Sequence, residues 1–240
     1  MRKILFFITI SIALQSCKTQ NHNNHNKYDD IKITGAMKNV MWKGELGGKI
    51  NLDTISNKKG LYGIGPVSYL IGELLINNGK SYVSKVLDSA NMVVEENYNV
   101  EAPFFVYGNV TEWNKLELPE TVNDIKALEQ HLDSISADFK RPFIFKLIGT
   151  VNSASIHIQN LAKGSIVRSP DGAHKGQINY LISNKEVEII GFFSTEHQAV
   201  FTHHDSYMHM HLITKDKSQM GHLDKVDFTN GNITLYLPTK

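Results

Sequence analysis

Cysteine is almost missing from this chain. Cys17 is the only one in 240 residues, so no internal disulfide can brace the fold. An excess of charge of either sign is missing too. The formal net charge is +1, which gives no electrostatic case for a nucleic-acid partner, and no aromatic-basic motif of an RNA-binding sheet is present. No apolar run is long enough to span a bilayer comfortably, the strongest being residues 4–14. Internal repeats are absent as well. What remains is an ordinary globular composition, 41% hydrophobic and 20% charged, long enough for one large domain or two small ones. A small molecule is the partner such a chain suits.

The amino terminus is informative. Met1, Arg2 and Lys3 place positive charge ahead of the short apolar run, the pattern of an export signal. Leu14, Gln15, Ser16 and Cys17 then resemble a bacterial lipobox, although Gln15 replaces the usual small residue. The expectation is a lipoprotein of the bacterial cell envelope: residues 1–17 form the signal, Cys17 is lipidated, and the membrane is met only through that anchor. A plain cleaved signal peptide is the alternative. Residues 18–30 are Asn- and His-rich and read as a disordered tether, whose His22 and His25 lack a preorganised third ligand. The folded domain is expected over residues 31–240, with a division near 150 giving sub-domains 31–150 and 151–240.

The chemistry concentrates near the carboxyl end. Tyr207, His209, His211 and Ile213 alternate with Met208, Met210 and Leu212, so on a strand the two imidazoles share a face. A polar turn follows, and His222 can begin a returning strand. Three imidazoles so placed suit a borderline-soft divalent ion, most often Zn2+, and leave a position open for water or substrate. The competing reading is that His209 and His211 are half-exposed strand residues and His222 a turn residue. Spacing alone does not decide between them. His203 and His204 read as solvent-facing loop residues.

Earlier in the chain, residues 33–48 show helical apolar spacing and residues 49–54 read as a strand. Gly63, Ile64 and Gly65 read as a bend beside the core, since no phosphate-loop helix follows them. Glu73 to Val83 is a predicted hairpin around Asn78-Gly79, with Glu73 set among Leu70, Ile71, Leu74 and Leu75. A carboxyl there is partly desolvated and its pKa rises, which makes Glu73 an acid-base candidate; a strand-end Glu pointing to water is the bland alternative. Residues 104–110 and 142–151 read as strands, and 121–139 as the clearest helix. Lys146, flanked by Phe145 and Leu147, needs an anion or an edge. Residues 155–178 carry no interpretable pattern.

In order, Gly63-Ile64-Gly65, Gly72-Glu73-Leu74, Ala102-Pro103-Phe104, Phe145-Lys146-Leu147-Ile148-Gly149-Thr150, Gly191-Phe192-Phe193, His209-Met210-His211-Leu212 and Gly221-His222-Leu223-Asp224 resemble the alpha-acetolactate decarboxylase family. The resemblance implies that His209, His211 and His222 are zinc ligands and Glu73 the active-site glutamate. It implies decarboxylation of 2-acetolactate to acetoin, the metal chelating the hydroxyl and ketone oxygens and holding the enediolate charge. It leaves room for a homodimer.

Two departures stand out. Lys146 lies in the segment where the family has an arginine and is expected to act with Glu73 as a catalytic residue lining the same cavity, and no glutamate follows Glu196 to match a second family glutamate, for which Asp224 or Asp227 would have to substitute. The expected fold is α+β, an N-terminal sheet with the main helix and a C-terminal antiparallel sheet with the metal site. Rival readings are a zinc hydrolase or hydratase, and a surface-tethered metal- or ligand-binding domain without catalysis. An iron cupin fits less well, because no glutamate follows the paired histidines at the required spacing.

Overall fold

The computed structural model describes residues 31–229 and 231–239. The export signal, Cys17 and the tether with His22 and His25 lie outside the described residues. The first half runs β1 (Lys32–Thr34), α1 (Met37–Lys43), β2 (Ile50–Asn51), β3 (Leu61–Pro66), β4 (Glu73–Asn77), β5 (Lys80–Val86), β6 (Met92–Glu96), β7 (Glu101–Ala102) and β8 (Phe105–Asn109). The second half runs β9 (Trp113–Glu117), α2 (Ile125–Ile135), β10 (Phe143–Ile158), α3 (Pro170–Ala173), β11 (Ile178–Phe193), β12 (Met208–Thr214), β13 (Met220–Asp227) and β14 (Ile233–Pro238). No described helix is long and apolar enough to cross a membrane.

The strands form two six-stranded antiparallel sheets, ordered β1-β8-β3-β4-β5-β6 and β11-β12-β13-β10-β14-β9, and β2 pairs with β7. The expected α+β class and the C-terminal antiparallel sheet are both present. One face of each sheet meets the other through Tyr62, Ile64, Leu75 and Val106 on the first and Ile144, Ile190, Phe192 and Ile213 on the second. The far face of the second sheet buries Phe143, Phe145, Leu147, Met208, Met210 and Leu212. Strand alternation therefore sends the methionines of β12 away from the first sheet and its histidines toward it.

Helix α2 begins where Asp124 accepts a hydrogen bond from the Ala127 amide at 2.8 Å, a side-chain cap. Its Leu128 and Leu132 join the far core of the second sheet, not the first sheet where the sequence reading set them. The reason is connectivity: α2 joins β9 to β10, and both belong to the second sheet. Helix α1 stops at Gly44, which takes the left-handed conformation with φ 66°. With α3 it closes one end of the molecule over Leu70, Phe104, Leu161 and Val167.

Several boundaries differ from expectation. Residues 49–54 hold only the two residues of β2 and then a turn of 3-10 helix over Leu52–Thr54. Gly63 and Gly65 are not a bend but lie inside β3, where a Cβ on Gly63 would stand 2.6 Å from the Phe105 ring. The absence of side chains lets that ring lie on the strand. β10 and β11 are paired from Phe143↔Phe193 to Ile158↔Ile178, much longer than the predicted strands, and positions 150 and 151 fall within β10. The Asn78-Gly79 hairpin is as expected, with both residues at positive φ and Asn77 opposite Lys80.

Between β3 and β4 the chain turns sharply. Tyr69 and Leu70 are successive non-glycine residues at φ 63° and 54°, each costing about 1–3 kcal/mol. They are held by neighbours: the Tyr69 amide donates to Leu46 O at 2.7 Å, and Leu70 O accepts from the Leu161 amide at 2.8 Å.

Gly191, opposite Met210, is another close approach, because a Cβ there runs into the buried Phe145 ring. Gly191→Ala is expected to lower stability by about 1–3 kcal/mol through overpacking. The measurement is a urea midpoint at unchanged m-value, and an unmoved midpoint contradicts the packing described.

Candidate active site

Strand register assembles the site. His211 faces His222 across the β12–β13 ladder, and His222 faces His157 across the β13–β10 ladder. Directly opposite residues share a face, and His209 lies two residues from His211 on that same face. Ring centroids of His209, His211 and His222 lie 5.1, 5.0 and 5.6 Å apart, with His209 Nε2 and His211 Nε2 separated by 3.2 Å. The three expected histidines are thus together and buried.

They are not alone. The His157 ring stacks on His222 at 4.6 Å, and His203 Nε2 lies 3.1 Å from His222 Nε2. His204 is exposed, as expected, but His203 turns inward and lines the cavity, contrary to the reading that set both in solvent. Its loop is held at both ends. The carbonyls of Ala199 and Val200 accept amides of α1, and Glu129 on α2 accepts the Ser206 hydroxyl and the Tyr207 amide, each at 2.7 Å.

Asp224 orders two of the rings. Its Oδ1 lies 2.7 Å from His157 Nδ1 and 3.2 Å from His222 Nδ1. A carboxylate oxygen can only accept, so both rings carry their proton on Nδ1 and leave Nε2 as an acceptor, that of His157 facing the Gln159 side-chain amide at 3.4 Å. Burial alone would raise the Asp224 carboxyl, but hydrogen bonds from His157 and His222 outweigh it and hold Asp224 well below the usual carboxylate range. Ligand atoms of His157, His222 and Asp224 all lie within 4.8 Å of one another, a group that can hold a metal ion. Two members of that group, His157 and Asp224 as a partner of His222, were not among the expected ligands.

Burial is the main force on the imidazoles. It pushes His209 and His211 well below the ordinary histidine value, with neighbouring imidazoles adding to it, and takes His222 down to about 3. A buried neutral imidazole is the form that binds a metal. The separation of His209 Nε2 and His211 Nε2 also fits, since neighbouring ligands on a tetrahedral ion with bonds of about 2.0–2.1 Å lie roughly 3.3–3.4 Å apart. The donor set therefore suits a divalent ion.

Glu73 opens β4 directly after the strained turn and is 2% exposed. The Gln159 amide donates to its Oε1 at 3.3 Å, and its Oε2 lies 3.7 Å from His211 Nε2. Burial raises its carboxyl well above the ordinary value; the Gln159 hydrogen bond opposes that, and the Asp224 charge reinforces it. The cavity beside these groups is lined by Glu73, His157, Gln159, His174, His203, His209 and His222, with Met37, Met41, Leu70 and Phe104 as its apolar wall.

Lys146 is elsewhere. It precedes His157 by 11 residues along β10, a separation of roughly 35 Å along the strand at about 3.3 Å per residue. Its Nζ lies 4.5 Å from the Trp113 ring and 4.9 Å from Tyr236, near Glu188, so the expectation that it lines the cavity with Glu73 is corrected. Aromatic faces and one carboxylate satisfy this cation where it stands. Asp227 faces away as well, bound to Asn152 and Thr229 at the surface.

His157, Gln159 and His174 were missed because they fall in the stretch without pattern. The usable signal was His157-x-Gln159 alternation, which becomes meaningful only once β10 is known to continue past residue 151.

The chain matches the family model described as alpha-acetolactate decarboxylase over residues 33–239. It is 24% identical over 200 residues to an alpha-acetolactate decarboxylase of Brevibacillus brevis, a match covering 82% of this chain and 66% of that protein, just under two thirds of its length. Among solved structures it is similar to alpha-acetolactate decarboxylase from Bacillus subtilis strain 168, with TM-score 0.68, 18% identity, and coverage of 88% of this chain and 86% of that one. It is also similar to a Staphylococcus aureus protein of unknown function similar to alpha-acetolactate decarboxylase, with TM-score 0.69, 15% identity, and coverage of 88% and 86%. At these identities the structures speak for the fold. The match over residues 33–239 is what decides membership: this chain belongs to the alpha-acetolactate decarboxylase family.

Proposed function

We propose that the protein is a zinc-dependent decarboxylase that converts 2-acetolactate to acetoin and CO2. The observation that carries the reading is a buried Glu73, its carboxyl raised by desolvation, beside the histidine cluster in one cavity. His209, His211 and His222 would hold the ion, with Asp224 orienting His222. A divalent ion so bound supplies Lewis acidity to the adjacent hydroxyl and ketone oxygens of the substrate.

The protein's own residues then have two tasks. The bond from the substrate carbon to its carboxylate breaks and leaves an electron pair on carbon, which takes up a proton as CO2 departs. Glu73 is the carboxyl group among the described residues that lines the cavity, and burial raises its carboxyl and so favours the protonated form, which makes it the donor. Asp224 is committed to two imidazoles and Asp227 lies at the surface, so neither substitutes for a second acid. With Lys146 outside the cavity, the Gln159 side-chain amide and the His174 ring, both in the cavity lining, are the N–H donors proposed to meet the substrate carboxylate. Met37, Met41 and Phe104 exclude water from the reacting carbon.

Loaded with Zn2+, the purified domain is expected to release CO2 from racemic acetolactate and to lose this activity on chelation and in His211→Ala. Glu73→Gln is expected to cut kcat by about 10²–10⁴ while leaving Zn2+ content unchanged, and Lys146→Met to leave turnover close to wild type. A folded, zinc-loaded protein with no turnover identifies a ligand-binding domain in place of an enzyme. The envelope anchor is a separate proposal: full-length protein should partition into detergent, and Cys17→Ala should abolish partitioning.

A further inference from the structure

We propose that the site takes 2-hydroxy-3-keto acids whose carbinol carbon bears an unbranched apolar chain of three or more carbons, the chain passing Met37 and Met41 into an adjoining apolar cleft. The proposal rests on the decarboxylase reading above and names a substrate class within it, wider than acetolactate itself.

Size is the first observation. The cavity beside Glu73 and the histidines has a free volume of about 30 Å³, on the order of one or two waters. Acetolactate is larger, so part of the wall must yield to any substrate. Met37 and Met41 form the adaptable part. They stand four residues apart on α1, hence on one face of it, and a methionine with three rotatable bonds changes shape at little cost. They also cover the carbon that loses CO2, the one that carries the chain.

Beyond the methionines lies open space. A second cavity, of about 510 Å³, shares Met37, Met41, His174 and His203 with the first, so a single layer of side chains separates the two. Its exposed polar members, Lys38, Asp171 and His204, meet solvent. The remainder is mainly apolar, with Trp42, Pro170 and Ala199 beside the methionines. Trp42 is 61% exposed, leaving an aromatic surface for an incoming chain to cover.

The cleft is preformed. The Met37 amide donates to Val200 O at 2.7 Å and the Lys38 amide to Ala199 O at 2.9 Å, which ties α1 to the loop carrying His203. On the other side Ser169 caps α3, its hydroxyl accepting from the Gly172 amide at 3.1 Å, and a Cβ on Gly44 would stand 2.8 Å from Val167 O, so α1 lies hard against the segment leading into α3. Entry of a chain therefore asks only the two thioether side chains to turn, while backbone and imidazoles keep their places.

The test is a series of racemic 2-hydroxy-3-keto acids whose carbinol substituent grows from methyl to pentyl, with CO2 release by the zinc-loaded domain as the readout. Beyond ethyl, kcat/KM is expected to rise roughly three- to fourfold per methylene, the gain for burying a CH2 group. Trp42→Ala and Trp42→Gln are expected to flatten the rise, read as the ratio to acetolactate so that a general loss of activity in a variant does not enter. The wild-type series decides the substrate class without any variant. If its kcat/KM fails to rise beyond ethyl while acetolactate is turned over, the wall is closed to longer chains and the proposal is overturned with the decarboxylase reading intact. A rise equally steep in the Trp42 variants places the chain elsewhere and overturns the cleft. If no member of the series is turned over, acetolactate included, the decarboxylase reading itself falls and the proposal with it.

Discussion

The register between β12, β13 and β10 is the constraint on which the site depends. Three antiparallel strands place His211, His222 and His157 in one row, and each pair is fixed by backbone hydrogen bonds and not by the rings themselves. Because side chains alternate, a slip of one residue would send these imidazoles to the far face and bring Met210, Gly221 and Ile156 into their places. Packing forbids it. Met208, Met210 and Leu212 are buried in a core closed by α2 and leave no room for polar rings. The apolar set on one face thus secures the polar set on the other.

Desolvation then gives the assembled groups their chemical state. The same buried surroundings lower the imidazoles and raise Glu73, since in both cases the charged form is the one that loses water. One negative charge stands against this trend. Asp224 keeps its charge because two imidazole N–H groups point at it, and in return it sets the tautomer of both. Imidazoles held toward their neutral form, an acid held toward its protonated form and one orienting carboxylate therefore coexist within one small volume, each tendency following from burial and hydrogen bonding.

Local patterns carried a good part of this in the sequence. The β12 alternation, the β4–β5 hairpin and the apolar stripe of α2 were legible because each is set by residues within one element or two adjacent ones. The surroundings of Glu73 were legible for the same reason. His157 and His203 were not: the first enters the site through pairing with a strand 65 residues later in the chain, and the second through a loop whose path depends on α1 and α2. The placement of Lys146 required knowing that β9 and β14 bring Trp113 and Tyr236 to it. Family resemblance marked its segment but not the direction of its side chain.

The turn at Tyr69 and Leu70 bears on how this protein comes apart. Neither residue prefers its backbone conformation, and the turn persists through Leu46 and Leu161, which belong to segments outside both sheets. Such a stretch opens at lower free energy than the ladders it joins. Glu73 is only three residues beyond it. Early in thermal inactivation, water should reach the acid while the histidine strands are still paired, so that function is lost ahead of any change in bulk β-structure.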